Sequence, residues 1–203
     1  MQVNIGNVLL ELREQIDGSK KLITAIKNSN LRQIQKELVI ELAFLRIFIA
    51  WEAFLEESFF RYLVGGKSCS GKRPKKFINP PNIKKAIEIV AGERNRYIKW
   101  NLSEENIARS EIYFKNGEPY KNTLEVISSD IKDMNTIRNR ITHHSRASKD
   151  KFAEFIRQES GHGIKGMTPG RFLLRNKANT TPAITYFDYY SNVIERAASA
   201  IYS

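Results

Sequence analysis

Apolar residues recur at intervals of three and four near the start of the chain, which is the spacing of one helical face rather than of a strand. These positions are Ile5, Leu9, Leu12, Ile16, Ile23 and Ile26, with Ser19 filling the one gap. The pattern predicts a first long helix. Gly18 weakens the middle of this helix, and Asn28-Ser29-Asn30 is expected to end it or bend it into the next element.

A second long helix is predicted over Leu31 to Val64, because this segment is apolar on nearly all sides, as expected for the central helix of a bundle. Its large apolar side chains include Phe44, Leu45, Ile49, Trp51, Phe54 and Leu55. Gly65-Gly66 stops the helix. The most apolar stretch, Leu38 to Trp51, contains Glu41 and Arg46 and falls short of the ~20 residues that a membrane span needs. It is therefore predicted to be a buried core helix.

Beyond this helix the pattern is less regular. Residues Lys67 to Asn82 combine lysines and an arginine with several prolines, which predicts an exposed basic loop. A shorter helix is predicted around Ile83 to Val90. Brief helical pieces are expected between Glu93 and Pro119, separated by the Asn116-Gly117 turn.

Three further helical segments are predicted in the C-terminal half. The first has apolar positions at spacings of three and four: Ile127, Ile131, Met134, Ile137 and Ile141. A short amphipathic piece follows, and then a glycine-rich loop from Gly161 to Gly170. The last helix has Thr181 as its N-cap and Pro182 in its first turn.

No segment alternates convincingly with period two, so the chain is predicted to be all-α. Its length suits one domain over residues 1–203. The expected architecture is an antiparallel helical bundle with long first helices, a basic loop and short additional helices.

The charge balance points to a polyanionic partner. Lys and Arg total 33 against 22 Asp and Glu, which gives a net charge of +11. Nucleic acid is the first partner to consider, although acidic membrane surfaces and acidic proteins respond to the same field. One cysteine, Cys69, excludes an intramolecular disulfide, and Met1 to Gln15 lacks the basic n-region and apolar run of a signal peptide. A reduced, cytoplasmic location is therefore expected, without a membrane partner.

Several short patterns invite a nucleotide- or metal-binding function, but each lacks its required context. Gly66-x4-Gly71-Lys72 matches the first part of a Walker A loop, but Arg73 occupies the position of the magnesium-binding Ser or Thr. Gly161-x-Gly163-x-x-Gly166 has the Rossmann spacing without a βαβ unit, so a flexible loop explains it better. Adjacent histidines lack the i, i+4 spacing of two zinc ligands on one helical face, and Cys69 has no local hydrolase signature. No metal or cofactor is predicted.

The segment between Asp133 and Asp150 holds the strongest candidate chemistry. It contains no acid, two of the three histidines, and four basic residues: Arg138, Arg140, Arg146 and Lys149. The segment is a local anion site. An arginine that holds a phosphate and a histidine that moves a proton are the minimum equipment for cutting RNA without a metal.

Helical geometry divides the roles within this segment. At about 100° per residue, Asn139 and His143 lie on one helical face, where the amide can hydrogen-bond one imidazole nitrogen and leave the other free. Arg138 lies about 140° round the helix from His143. The two converge on one phosphate only if Arg138 reaches round, if the helix distorts near Thr142, or if a second subunit completes the site.

Each histidine also has a plain structural interpretation. His144 lies nearer the apolar stripe of Ile137 and Ile141, where packing against the core is the default. For His143 the alternative is an exposed helix histidine without a chemical role. His162, in the glycine-rich loop, is expected to be exposed to solvent.

The segment Arg138-Asn139-Arg140-Ile141-Thr142-His143 resembles the Arg-x4-6-His motif of HEPN superfamily ribonucleases, which lies on a helix of an all-α bundle. His144 also satisfies the longer spacing. The aromatic helix around Ile49 to Glu56 is similar to the early helix of these domains. Thr168 to Leu173 and the final helix are similar to the tail of the RiboL-PSP-type branch. The resemblance covers the chain from about Leu31 to its C-terminus.

This resemblance implies a metal-independent endoribonuclease that acts as a homodimer, with two motifs meeting at a cleft between subunits. It also implies a toxin or antiviral-defence role, with an antitoxin or other defence-system protein as a partner. Arg138 would bind the scissile phosphate, His143 would act as general acid or base, and Asn139 would orient the site. Glu52 or Glu56 would brace Arg138 from a neighbouring helix.

Basic residues around the motif and in the basic loop complete the predicted RNA site. Those expected to guide the RNA backbone are Arg140, Arg146, Lys72, Arg73, Lys75 and Lys76. Ser145 stands where toxins with a nucleotidyltransferase antitoxin carry a tyrosine, which argues against control by tyrosine nucleotidylation. The alternatives to a ribonuclease are a non-catalytic helical module that binds RNA or a protein partner, and an antitoxin or structural subunit.

Overall fold

The computed structural model describes residues 4–92 and 98–203. Within these ranges the chain forms nine α-helices and a 3₁₀ turn at Lys115–Gly117. The helices are α1 (Ile5–Lys27), α2 (Gln33–Leu63), α3 (Ile83–Ala91), α4 (Ser103–Tyr113), α5 (Lys121–Val126), α6 (Ser128–Thr142), α7 (Arg146–Ser160), α8 (Pro169–Leu174) and α9 (Tyr186–Tyr202). The predicted all-α class is confirmed. Residues 1–3, at the start of the segment compared with a signal peptide, and residues 93–97, within the predicted helical pieces, lie outside the described ranges.

The first long helix follows its sequence pattern. α1 begins after Asn4, whose side chain accepts a hydrogen bond from the Gly6 amide at 2.8 Å. It continues unbroken through Gly18 to Lys27. The apolar stripe of α1 packs along α2, and this tertiary packing outweighs the helix-weakening effect of one glycine.

The second long helix, α2, is buried along only part of its circumference. Its covered side packs against α1, α6, α8 and α9 and buries a series of aromatic side chains, including Phe48 and Trp51. Its other side leaves several apolar residues open: Ile34 is 70% exposed, Leu38 and Leu42 are each 57% exposed, and Ile49 is 59% exposed. The prediction of burial on nearly all sides is therefore wrong, because no helix in the described part of the chain covers this side. No helix there is long and apolar enough to cross a membrane.

The middle of the chain agrees with the sequence prediction in outline. α3 begins after Asn82, whose side chain accepts from the Lys85 amide at 2.9 Å. The predicted Asn116-Gly117 turn is present, with both residues at positive φ. α6 buries Ile131, Met134 and Ile137 of its predicted apolar stripe.

The start of the last helix differs from its prediction. α9 begins at Tyr186 and not near Thr181. Residues 175–186 instead fold back on themselves through two backbone hydrogen bonds of 2.9 Å. Thr185 is the N-cap, because its hydroxyl oxygen accepts from the Asp188 amide at 3.2 Å and its hydroxyl donates to the Asp188 carboxylate at 2.6 Å. These two hydrogen bonds fix the start of α9 at Tyr186, four residues after Pro182.

Helix α8 is held on α2 by two glutamates, an arrangement that we term the α2–α8 clamp. Thr168 caps α8 and donates its hydroxyl to Glu37 at 2.7 Å, while Arg171 pairs with the same carboxylate at 2.7 Å. Glu41, one turn further along α2, accepts from the Gly170 amide at 2.8 Å. Burial opposes ionisation of Glu37, but its hydrogen bonds, above all those from Arg171 and Thr168, outweigh burial and lower its pKa.

Gly170 allows the two helices of the clamp to approach closely, since an added Cβ would lie 2.5 Å from the backbone carbonyl oxygen of Glu37. We expect Gly170→Ala to lower the free energy of unfolding by about 1–3 kcal/mol, because backbone atoms cannot move aside as a flexible side chain can. Thermal and urea unfolding would measure the change.

Gly18→Ala is the matched control for this substitution. An added Cβ at Gly18 meets nothing within 4 Å, and the residue lies inside α1. We expect the free energy of unfolding to be unchanged or raised by up to about 1 kcal/mol. A Gly170→Ala protein as stable as wild type would contradict the close packing of α8 on α2.

Candidate functional site

Helix α6 ends at Thr142, directly before the two adjacent histidines. His143 has extended backbone with φ −124° and ψ 122°, and its amide donates to the Asn139 carbonyl at 2.9 Å. The carbonyl of His143 accepts from the Ser148 hydroxyl at 2.5 Å. Ser145 then begins the next helix by accepting from the Ser148 amide at 3.2 Å. The short link 143–145 therefore joins α6 to α7 and presents both imidazoles at the surface.

This helix end changes the predicted relation between Asn139 and His143. His143 is the C-cap of α6, and its backbone amide still bonds to the Asn139 carbonyl, but no hydrogen bond joins the side chains of the two residues. The Oδ1 atom of Asn139 instead accepts a hydrogen bond from Arg138 at 3.1 Å. Within residues 4–92 and 98–203, no side chain hydrogen-bonds to either imidazole of the motif. The expected amide–imidazole contact is thus not formed.

Arg138 lies half-buried on the side of α6 that faces α2. Its positive charge acts on Glu52 of α2, a carboxyl whose pKa burial raises and Arg138 lowers in part. Glu56, the other carboxylate considered as a brace, interacts instead with Glu57, Trp100 and Arg109. Of the two glutamates named from the sequence, Glu52 is the one near Arg138.

His144 is exposed, so the expected packing of this residue against the apolar stripe is wrong. The physical reason is that α6 ends before His144 and its helical register no longer applies. The charges of Arg140 and His144 act on Glu41 of α2, whose pKa is raised by burial. Arg138 acts on Glu52, eleven residues further along α2 and about 16 Å away by helical rise. The basic end of α6 therefore runs antiparallel beside this part of α2.

The basic loop predicted to guide RNA lies at the far end of α2. Arg73 donates to the Gly65 carbonyl at 2.9 Å, and Lys76 donates to the Leu63 carbonyl. Both side chains satisfy carbonyls at the end of a helix. Lys72 and Lys75 are exposed, but the end of α2 is about 16 Å beyond Glu52 by helical rise. The structure does not bring this loop together with the motif.

Arg146 remains beside the motif, at the first position of α7. Its side chain is 94% exposed and lies 3.8 Å from the carboxylate of Asp150, one turn later. Such an exposed pair is weak and leaves the guanidinium available to an anion.

Two clefts flank α7, and their charges differ. The cleft on the α4 side has a volume of about 710 Å³ and is lined by two lysines and four carboxylates: Lys132, Lys151, Glu104, Asp133, Asp150 and Glu154. The groove on the other side has a volume of about 540 Å³ and contains four basic residues and no acid: Arg140, Lys149, Arg157 and Lys165. We call the second cleft the α7 groove.

Arg140 and Lys149 of the α7 groove lie in the basic segment identified from the sequence, whereas the other two cations of the groove, Arg157 and Lys165, are not predicted to belong to a site. The pattern of the glycine-rich loop resembles only a nucleotide-binding fingerprint, and nothing within the loop links Lys165 to Lys149 and Arg157 on α7. The spacing of Lys149 and Arg157, two turns apart on one helical face, was the available signal. His162, in the same loop, is exposed as predicted.

Among the described residues, no group of three His, Cys, Asp or Glu side chains could hold a metal ion. Comparisons with protein-family models, with curated proteins and with solved structures found no match to this chain. The resemblance to HEPN ribonucleases therefore stays a prediction from the motif residues.

Three carboxylates, Asp130, Asp133 and Glu159, lie close together where α6, α7 and α9 meet. Glu159 is satisfied by Lys177 at 2.9 Å and by the Tyr186 hydroxyl at 2.7 Å. Burial, followed by the charges of Glu159 and Asp130, raises the pKa of Asp133 to about 6. An unfolded aspartate titrates near pH 4. The folded protein therefore binds an additional proton between these two values.

We expect Asp133→Asn to stabilise the protein at pH 7. The folded-state pKa is raised, so the wild type loses stability as pH rises from about 4 to 6, and the substitution removes that loss. Because the side chain is only half-buried, the gain is on the order of 1 kcal/mol at pH 7 and vanishes below about pH 4. Melting temperatures at both pH values would measure it. Asp150→Asn, at a carboxylate that is 69% exposed, is the control, and an equal gain for Asp133→Asn at pH 4 would contradict the assignment.

Proposed function

We propose that this protein is a metal-independent endoribonuclease of the HEPN type, which cleaves RNA at a basic cleft completed by a second copy of the chain. The observation that carries the proposal is the end of α6 at Thr142. It leaves two exposed imidazoles within a few residues of two arginines, Arg138 and Arg140, in a protein of net charge +11. A cytoplasmic location and a toxin or defence role belong to the same proposal.

The chemistry needs one base and one acid. The ribose 2′-oxygen attacks the adjacent phosphorus as the P–O5′ bond breaks, one group removes the 2′-hydroxyl proton, and another protonates the leaving 5′-oxygen. The products are a 2′,3′-cyclic phosphate and a 5′-hydroxyl. Imidazole is the side chain that can serve in both roles near neutral pH. His143, with His144 or the second copy's histidine, would supply the two proton-transfer groups.

The arginines would hold the charge that develops on the phosphate. Arg138 is half-buried and already oriented by Asn139 at 3.1 Å, so less side-chain entropy is lost when it binds an anion. The role of Asn139 then changes from orienting the histidine to orienting Arg138. The guanidinium of Arg140 donates to the His143 carbonyl at 3.3 Å, and the same side chain lines the α7 groove. The link 143–145, which we call the histidine link, therefore lies beside this groove.

We expect the wild-type protein to cleave single-stranded RNA in EDTA and to leave 2′,3′-cyclic phosphate ends. His143→Ala is expected to lower the cleavage rate about 10²–10⁴-fold, because it removes a proton-transfer group. Arg138→Ala is expected to lower the rate about 10²–10³-fold through lost charge stabilisation. His144→Ala, tested separately, decides whether the second imidazole takes part. Gel analysis of end-labelled RNA would measure all four proteins.

His162→Ala is the matched control, because it removes an exposed histidine outside the motif. Since Arg138 is half-buried, the melting temperature of Arg138→Ala would be measured as well, and Arg138→Lys would test charge without the planar guanidinium. Equal cleavage by wild type, His143→Ala and Arg138→Ala would refute the catalytic proposal.

The exposed side of α2 provides the surface for a second copy. Its apolar residues form what we call the α2 stripe: Ile34, Leu38, Leu42, Leu45 and Ile49. The stripe continues into a groove of about 710 Å³ between α1 and α2. Glu41, Leu45 and Glu52 are spaced by four and seven residues and so share one side of α2. The glutamates that face the motif therefore border the stripe.

A twofold partner on the α2 stripe would bring its own motif to the same border. Such a contact is self-complementary, as closed dimers require, and the spacing of the stripe by four, four, three and four residues suits the packing of two helices. The half-site of one chain, with one Arg138 and an unoriented His143, would then be completed by the other.

We expect Ile49→Asp to convert a dimer to monomers and to lower the cleavage rate, because the charge would be buried without a partner at the interface. The isolated subunit loses little, since Ile49 is 59% exposed. Light scattering coupled to size-exclusion chromatography would measure the mass. Val126→Asp is the control, at an apolar residue of α5 that is 84% exposed and outside the stripe. A wild-type protein that is monomeric at micromolar concentration would refute the shared site.

A non-catalytic helical module that binds RNA is the second candidate. One observation favours it, namely that the side chain expected to orient His143 is instead bonded to Arg138. A protein with this function would bind RNA without cleaving it. Arg138→Ala would then weaken RNA binding, while His143→Ala would have little effect.

A further inference from the structure

The α7 groove lies next to the end of α6 and is not explained by the catalytic motif alone. We infer that single-stranded RNA leaves the motif through this groove, with Arg140, Lys149, Arg157 and Lys165 binding its phosphates. The inference rests on the proposed function, because it names the path of the RNA at that site. It replaces the basic loop at the far end of α2 as the principal contact with the RNA backbone.

Charge distinguishes the two sides of α7. The α7 groove is lined by four basic residues and by no carboxylate, whereas the cleft on the other side has more carboxylates than lysines. At physiological salt the Debye length is about 8 Å, so the field inside each cleft is set mainly by the charges that line it. A polyanion reaching the end of α6 is attracted to one side and repelled from the other.

The groove is continuous with the motif through Arg140. Its guanidinium donates to the His143 carbonyl at 3.3 Å, and the same side chain lines the groove. From Lys149 to Arg157, α7 advances about 12 Å, a length that can follow several backbone units of an extended strand. The basic residues thus form a track that begins at the histidine link.

The opposite wall is formed by the glycine-rich loop. Gly163 and Gly166 line the groove, and an added Cβ at Gly166 would meet nothing within 4 Å. Lys165 lies between them and is exposed. A wall without side chains at these two positions lets a ligand backbone approach the protein backbone closely.

The floor of the groove is apolar and distinguishes single strands from duplexes. Phe152 and Ile156 form its buried base, while Ile164 and Met167 are only partly buried. An unpaired base or ribose can cover such a surface, whereas a duplex keeps its bases stacked inside. The cations at the rim suit the phosphates of an RNA strand, and the apolar floor suits its bases and riboses.

One of the four cations is already paired, and the pair is weak. Arg157 lies 2.9 Å from Glu154, with both side chains more than half exposed. Exposed pairs of this kind contribute little and can be displaced by a phosphate. Lys149 and Lys165 form no ion pair with any described residue, so they are the better positions for a test.

The experiment measures the affinity of a fluorescent 12-nucleotide single-stranded RNA for protein carrying His143→Ala and His144→Ala, which keeps the RNA intact. We expect adding Lys149→Ala and Lys165→Ala to raise Kd about 10–100-fold at low salt. The slope of log K against log salt is expected to fall by about 1.4, since each lost phosphate contact on a single strand contributes about 0.7. Lys72→Ala with Lys75→Ala is expected to change Kd much less.

Lys21→Ala with Lys27→Ala is the charge-matched control, because both lysines are exposed on α1. A groove variant with the same Kd and salt slope as this control overturns the inference, even if wild type cleaves RNA. Loss of binding in the groove variant alone supports it, even if wild type proves unable to cleave. If duplex RNA or polyglutamate binds as tightly as the single-stranded RNA and loses as much affinity in the groove variant, the assignment to single-stranded RNA is overturned.

Discussion

The α2–α8 clamp is the interaction on which both the fold and the candidate site depend. Glu37 is only 5% exposed, and a buried carboxylate is tolerated when its oxygens are satisfied, as they are here by Arg171 and Thr168. The clamp fixes residues 161–168 ahead of α8, and that segment forms one wall of the α7 groove. Its second glutamate, Glu41, also faces the basic end of α6. Glu41 therefore takes part both in the packing of α8 on α2 and in the charge interactions beside the motif.

Charge is distributed unevenly over this surface, and the net value of +11 does not reveal that distribution. Part of the basic loop is used to satisfy carbonyls at the end of α2, as Arg73 and Lys76 show. Carboxylates gather on one side of α7 and cations on the other. A ligand-binding surface is decided by which charges face the same cleft, and that depends on helix packing rather than on composition.

Much of the fold could be predicted from the sequence where a helix is specified by the spacing of its own apolar residues. α1 and α6 follow their apolar spacing because a helical stripe is a local property of the chain. The start of α9 was misplaced because the Thr181-Pro182 pair and the Thr185 cap are both acceptable locally, and a backbone turn over residues 175–186 decides between them. The burial of Ile49 is predicted wrongly because apolar character alone does not show whether another helix covers the residue.

The sequence by itself determined the residue types of the motif, its location on a helix with an apolar stripe, and the excess of positive charge. Only the tertiary structure decided that α6 stops before His143, that Asn139 bonds to Arg138, and that Glu52 rather than Glu56 lies nearby. It also decided that residues from α6, α7 and the glycine-rich loop form one groove. The physical reason is range: periodicity and capping act over a few residues, whereas these arrangements depend on side chains that only the packed helices bring together.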